Sequence, residues 1–437
     1  MKKLCISLIT LGSFYLLPTV TNTVSVSHAA GSTEPSQASQ TEKQSVKVPA
    51  MRNRVYAQLA RAQKLADEGV KLEGFDVLDD VKDRIDSLNS YEKAMLWNFY
   101  GFMYYGNDDI AAAIDSFEKV IAELAIPESL RLSTLYSLAQ LSMQKENYEE
   151  TLAYLSQWKA VNTKPLTSEQ HILFAQVYYQ DKQFKSSLAA VDKAIAEAKS
   201  KDKLPKENWL ILQRANFYEL KQPEKVTQVL EQLVNLYEKP EYWLQLSGMY
   251  GETGKEDKQL AAMETAWQAG YVVKEQDIVT LAQLYRFHGV PYKAAKLLDD
   301  AIAEGKIVAN ERHYEMLAQS YLAAKNDKKA ISPLLKASEI SDSGKFDAQL
   351  AQAYLSTEKW QLAITSADSA LSRGGIKRVG DMHLIIGMSY FNLEQFEQSL
   401  TAFKSAEKIA SSAKTASQWR KYVEREKVQH AQLAMLN

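Results

Sequence analysis

From Met51 onward, apolar side chains recur at spacings of three and four, the period of one helical face, and no stretch alternates apolar with polar as a strand would. The pattern predicts an all-α protein. Its ten prolines fall mostly between the periodic segments.

A longer period lies over the helical one. A small residue followed three positions later by tyrosine occurs at Gly101/Tyr104, Ala175/Tyr178, Ala215/Tyr218, Ser247/Tyr250, Ala282/Tyr285, Ala318/Tyr321, Ala351/Tyr354 and Gly387/Tyr390. Ala139/Ser142 is a ninth, weaker member. Neighbouring anchors are 32 to 40 residues apart, averaging about 36. Twelve positions after the anchor a second small residue recurs, at Ala113, Ser187, Ala294, Ala330, Ala363 and Ser399. Four further on stand larger ones such as Phe117, Leu298, Leu334 and Phe403. A period in this range marks a stack of helical hairpins, each unable to bury its apolar face alone.

The pattern resembles the tetratricopeptide repeat, W-x2-L-G-x2-Y followed by A-x3-F, with Trp97 and Trp243 at the leading tryptophan. The expected fold is an α-solenoid of about nine such hairpins over residues 92–410, wound as a right-handed superhelix of about twenty helices. Residues 51–91 are expected to form a degenerate capping repeat, with Val55, Leu59 and Ala62 on one helix and Leu78, Val81, Ile85 and Leu88 on the next. A polar helix within 411–437, bearing Trp419, Tyr422 and Val423 on one side, is expected to close the other end.

The frame disposes of one candidate site. SGMYGETGKED (247–257) has glycines leading into Lys255, as a phosphate loop does. A P-loop requires G-x4-G-K-[ST] between strand and helix. Here Glu256 follows the lysine, and Gly254 and Lys255 fall at a helix–helix turn.

The first thirty residues read as targeting sequence. Met1-Lys2-Lys3 is followed by a mostly apolar run from Leu4 to Leu17, Pro18, and Ser27-His28-Ala29, the profile of a secretory signal cleaved after Ala29 or Ala30. A retained single-span anchor is the alternative reading. Cys5, the one cysteine, lies inside this segment, so the exported chain would rely on no disulfide. Residues 31–50 carry almost no apolar side chains and read as a disordered tether. The periplasm is the expected location, with no stable membrane insertion once the signal is removed.

Charge and chemistry narrow the function. The chain has 52 basic and 54 acidic residues, which argues against a nucleic-acid or anionic-membrane partner. The histidines outside the signal, His171, His288, His313, His383 and His430, show no metal-ligand spacing. The doublets Asp79-Asp80, Asp108-Asp109 and Asp299-Asp300 point apart on a helix and read as solvated faces. No nucleophile elbow or dinucleotide loop occurs. The expectation is a non-enzymatic protein without cofactor or metal.

Helical geometry then identifies a candidate face. The position after each small residue, with those four before and three after it, points about 150° from the packed stripe. In a tetratricopeptide superhelix that face lines the concave groove. The first row reads Phe102, Gln140, Gln176, Asn216, Gly248, Gln283, Gln319, Gln352 and Met388. The row three further on reads Tyr105, Met143, Tyr179, Glu219, Gly251, Arg286, Leu322, Leu355 and Phe391. Amides both donate and accept, so such a ladder suits a peptide backbone, and the aromatics would anchor side chains. Glutamine is also a common exposed helix residue. The candidate partner-binding residues are Phe102, Tyr105, Gln140, Gln176, Tyr179, Asn216, Gln283, Arg286, Gln319, Gln352 and Phe391.

A narrower resemblance covers residues 240–420. PEYWLQLSGMYGETGKEDKQLAAMETAWQAGYV, LYRFHGVPYKAAKLLDDAIAEGKI, LAQAYLSTEKWQLAITSADSALSRGG and GMSYFNLEQFEQSLTAF resemble blocks of the exported tetratricopeptide proteins that accompany TonB–ExbB–ExbD energy-transducing systems in Gram-negative bacteria. The resemblance implies a periplasmic accessory protein, with TonB, ExbB or ExbD components or extended peptide segments as partners. The alternative is an assembly or chaperone factor for outer-membrane or cell-wall proteins.

Overall fold

A computed structural model describes residues 47–436, where 21 α-helices and no strand are found. The expected signal segment and residues 31–46 of the expected tether lie outside the described residues. The chain divides into two compact units, one running to Gln222 and the other beginning at Pro223.

Unit 1 holds four helical hairpins and a single helix. They are α1 (Asn53–Asp67) with α2 (Lys71–Lys82), α3 (Ser90–Tyr105) with α4 (Ile110–Ala122), α5 (Glu128–Gln144) with α6 (Tyr148–Val161), α7 (Ser168–Gln180) with α8 (Phe184–Ser200), and α9 (Glu207–Glu219). Unit 2 begins with α10 (Pro223–Tyr237). Its hairpins are α11 (Pro240–Glu252) with α12 (Glu256–Gln268), α13 (Glu275–Phe287) with α14 (Pro291–Ala303), and α15 (Glu311–Ala323) with α16 (Asp327–Ile340). Then come α17 (Lys345–Ser356) with α18 (Trp360–Arg373), α19 (Val379–Asn392) with α20 (Phe396–Glu407), and the long α21 (Ala413–Leu436). The α-solenoid of small-residue hairpins is the expected one.

Local chemistry sets the helix ends. Asn89 and Thr167 cap α3 and α7 in reciprocal boxes with Glu92 and Gln170, satisfying backbone N–H groups that lack a helical partner. Each hairpin turn after that of α1 and α2 reverses through one left-handed residue: Asp108, Glu146, Lys182, Gly254, Gly289, Lys325, Glu358 and Glu394. Every one of these stands seven positions after its small residue. Pro333 is an exception to the placement of prolines between segments, being buried inside α16.

Packing follows the frame. In the eight repeats other than that of Ala215, the residue before the anchor is buried each time, from Tyr100 and Leu138 to Leu350 and Ile386. The anchor must be small because a ring lies over it. A Cβ on Gly101 would stand 2.6 Å from the Phe117 ring, sixteen residues on.

The caps differ in detail from expectation. Val55, Leu59, Ala62, Leu78, Val81 and Leu88 are buried as one cluster, but the second helix ends at Lys82, so Ile85 belongs to a 3-10 turn, Ile85–Ser87, and Leu88 follows that turn. Arg52 ties this cap down: its Nε and Nη2 donate to the two oxygens of Glu92 at 2.8 and 2.6 Å, and Nη2 also reaches the Ser87 carbonyl at 2.8 Å. At the other end Val423 is fully buried against Phe403, while Tyr422 stays exposed.

The repeat tyrosines reach between hairpins. In unit 2, Tyr250 donates to Glu231 at 2.7 Å, Tyr285 to Glu264 at 3.2 Å and Tyr321 to Asp299 at 2.7 Å. In each case the acceptor is on the helix preceding the tyrosine's own. A lysine eight residues after each tyrosine lies over its ring: Lys258, Lys293 and Lys329, at 5.5, 5.4 and 5.7 Å from the centroids. The acidic doublets therefore do more than face solvent. Asp299 accepts from Tyr321, Asp79 accepts from Tyr100 at 2.5 Å, and Asp109 caps α4 through Ala112 N–H at 3.0 Å.

Candidate functional site

The position after the anchor is never buried in the eight repeats that keep the frame, as the helical geometry requires of a face turned from the core.

In unit 1, Phe102 is partly exposed and meets Phe117 edge-on at 5.2 Å. Tyr105, Gln140 and Gln176 are half-buried. Tyr179 is half-buried with its ring against Phe184 at 5.4 Å, and burial raises its hydroxyl pKa. Asn216 does not line the face. It is fully buried, and its Nδ2 donates to Ser187 Oγ and to the Leu212 carbonyl, both at 2.9 Å. Tyr218 is correspondingly exposed, so Asn216 rather than Ala215 fills the crevice at this point. An asparagine serves there because its Nδ2 finds two acceptors inside the packing, although its buried Oδ1 has no partner among the described residues. The left-handed turn residue of α9, Lys221, follows Ala215 by six positions instead of seven, another sign that the frame slips here.

Unit 1 also contains a half-open depression of about 220 Å3 where α5, α7 and α9 meet. Gln176 is the one candidate residue on its wall. Tyr136, Leu173 and Trp209 supply apolar surface, and a Glu169–Lys206 ion pair of 3.0 Å stands at the rim. Tyr136 is three positions before its anchor, on the same stripe as Gln140, so the periodicity that found Gln140 could have found it.

In unit 2, Gln283 and Gln352 are exposed. Two candidates on successive hairpins are joined: Arg286 Nη2 donates to Gln319 Oε1 at 3.2 Å. Gln319 Nε2 in turn donates to Glu315 Oε1 at 2.8 Å, and Glu315 pairs with Lys345 at 2.7 Å. One polar chain thus crosses from α13 through α15 to α17. Glu315, again three before its anchor, lies on the stripe but stands outside the two rows read above.

Phe391 is not an open anchor. Its ring is enclosed by Phe396, Trp419 and Tyr422, at centroid separations of 6.1, 6.2 and 5.4 Å. The terminal helix α21 takes the place a partner would need. The spacing places Phe391 on the outward stripe of α19, and α21, a separate helix whose position no stripe on α19 specifies, covers it.

The glycine–lysine stretch has a structural reading. Gly254 sits at φ +69° in the turn, and Lys255 pairs with Glu224 at 2.5 Å. His313 is buried and shares a 2.7 Å hydrogen bond between Nδ1 and the Val308 carbonyl. Among the described residues no group of three His, Cys, Asp or Glu is placed to hold a metal, and no helix is long and apolar enough to cross a membrane.

No protein-family model and no curated protein matches the sequence. Solved structures that overlap it include YrrB, described as a TPR protein with an unusual peptide-binding site, at 14% identity and TM-score 0.36 over 44% of this chain and 96% of that one. A tetratricopeptide repeat protein from Parabacteroides merdae overlaps at 13% identity and TM-score 0.29, over 68% of this chain and 99% of its own. The TPR2AB domain of yeast Sti1, in a pHSP90 complex, overlaps at 13% identity and TM-score 0.28, over 59% of this chain and 98% of that domain. At these TM-scores the overlaps add nothing to the helix-pair architecture described above.

Proposed function

We propose that the protein is a non-enzymatic interaction scaffold whose first-helix faces dock segments of other proteins. The observation that carries this reading is the regularity of the face. In eight repeats the residue after the anchor stays accessible, and five of those eight are glutamine. Packing alone does not ask for amides at unburied positions, whereas backbone recognition does.

The finer reading is a periplasmic accessory to a TonB-type energy-transducing transport system. It is supported by the sequence blocks of residues 240–420 and by the signal-like first thirty residues.

The test is crosslinking followed by co-purification from periplasm, comparing the native protein with a Gln283→Ala, Arg286→Ala, Gln319→Ala variant. TonB-system proteins recovered with the native form and lost from the variant are the expected result. Recovery of outer-membrane or cell-wall assembly factors instead would replace the transport reading with the chaperone one. Equal recovery by both forms would remove the unit 2 face from the proposal.

A further inference from the structure

The depression in unit 1 gathers polar side chains that no other described residue engages. Tyr136 makes a ring contact with Trp158 at 6.2 Å, yet its hydroxyl has no hydrogen bond to any described residue. The amides of Gln176 and Asn208, on the same wall, are likewise without a side-chain or backbone partner among the described residues. Elsewhere five tyrosine hydroxyls are tied to carboxylates. Burial raises the pKa of the Tyr136 hydroxyl, so it remains a neutral donor.

Beneath these polar groups the floor is apolar, formed by Ile172, Leu173 and Trp209. The charges nearby are already matched. Glu169 and Lys206 hold each other, and the Lys206 ammonium lies 5.5 Å over the Trp209 ring. A charged group entering here would surrender its hydration without finding an unpaired counter-charge, which is unfavourable.

Neutrality extends along the face. On α3, α5 and α7 its three rows are Asn98, Phe102, Tyr105; Tyr136, Gln140, Met143; and Ile172, Gln176, Tyr179. None of the nine is charged, in a chain that is 24% charged. The same rows carry Glu219 on α9, and Arg286 and Glu315 in unit 2. An occupant matching the rows of α3, α5 and α7 must offer both donors and acceptors, one apolar group and no charge. Apolar floors with a few convergent polar groups are the usual form of such sites.

We infer that the depression receives an uncharged, extended polypeptide segment, one apolar side chain resting on Leu173 and Trp209 and its backbone amides paired with Tyr136, Gln176 and Asn208. The inference rests on the scaffold reading and assigns the partner chemistry of one of its faces.

The test uses the purified protein and fluorescein-labelled nonapeptides, read by anisotropy. One alternates serine with leucine; a second replaces serine with aspartate, a third with lysine, and a fourth has glycine for leucine. The serine–leucine peptide is expected to bind at least about tenfold more tightly than the other three. Gln176→Ala, Asn208→Ala and Tyr136→Phe should each weaken it about fivefold, the loss of one neutral hydrogen bond. Gln361→Ala, at an exposed position of α18 in unit 2 outside the candidate rows, should leave it unchanged, and thermal melts monitored by circular dichroism check that every variant folds. Preference for the aspartate or lysine peptide overturns the inference. So does serine–leucine binding indifferent to all three unit 1 substitutions. If no peptide binds while periplasmic proteins still co-purify with the protein, this inference fails and the scaffold reading stands; if neither occurs, both fall.

Discussion

A Cβ added at Gly387 would lie 2.7 Å from the ring of Phe403, a distance real Cβ contacts do not reach. The same pair, sixteen residues apart, recurs as Gly101 and Phe117. The small anchor and the later aromatic are therefore one unit of packing rather than two independent preferences. Gly387→Ala should destabilise unit 2 by about 1–3 kcal/mol through overpacking. Urea denaturation would register it, and adding Phe403→Leu should restore part of the loss. A Gly387→Ala protein that melts like the native one would show that the ring has room to move.

The tyrosine struts predict an alkaline transition. Burial first, and the carboxylate partner second, push Tyr250 and Tyr285 up to about 12. A phenol raised above its ordinary value near 10 stabilises the fold below about pH 10, and that contribution disappears as pH climbs toward 12. Tyr285→Phe should cost about 1 kcal/mol at neutral pH. Its midpoint should also fall less steeply than the native one between pH 10 and 12, since one titrating strut is gone. Parallel pH profiles would rule the strut out.

At the acid end the N-terminal cap is the sensitive point. The Arg52 guanidinium holds the Glu92 carboxyl down to about 2 from an ordinary 4.5. A depressed carboxylate stabilises above its ordinary pKa and loses that contribution as pH falls toward the folded value. Arg52→Ala removes the largest cause of the depression, so acid unfolding of the cap should begin at higher pH. Limited proteolysis near α1, run from pH 6 down to pH 3, would follow it.

Asn216 separates packing from recognition. Asn216→Ala leaves the Ser187 hydroxyl without one partner inside the fold and should cost about 1–3 kcal/mol. Peptide binding by the folded fraction should be unaffected. A binding loss without a stability loss would return Asn216 to the interaction face.

The hairpin turns offer the opposite sign. Lys325 is held at φ +57°, a conformation that disfavours a side chain. Lys325→Gly should raise stability by about 0.5–1 kcal/mol after the added freedom of the unfolded chain is counted. Glycine already occupies the equivalent place at Gly254 and Gly289. A lower melting temperature would mean that the Lys325 side chain contributes more than its backbone strain removes.

Much of this was legible in advance because the repeat repeats. Anchor and tyrosine spacing located the first helices and the accessible stripe at Gln283, Gln319 and Gln352. What stayed hidden depends on neighbours whose distance along the chain is not fixed. The acid opposite each tyrosine lies 19, 21 or 22 residues earlier, according to the length of the intervening turn. The slip at Asn216 was masked because alanine is the better-looking small residue and asparagine fitted the amide row. The enclosure of Phe391 and the depression beside Tyr136 are made by a third helix in each case, and no stripe on a single helix reports on that.

Each tyrosine strut of unit 2 reaches the helix just before its own and no further. An interior hairpin such as α13 with α14 is thus held from both sides, by Tyr285 donating back to Glu264 and by Tyr321 donating to Asp299. The outermost helices lack one of these neighbours. Unravelling would accordingly start at a margin and travel inward one hairpin at a time, so amide exchange should slow stepwise from α21 toward α14 rather than report one global opening.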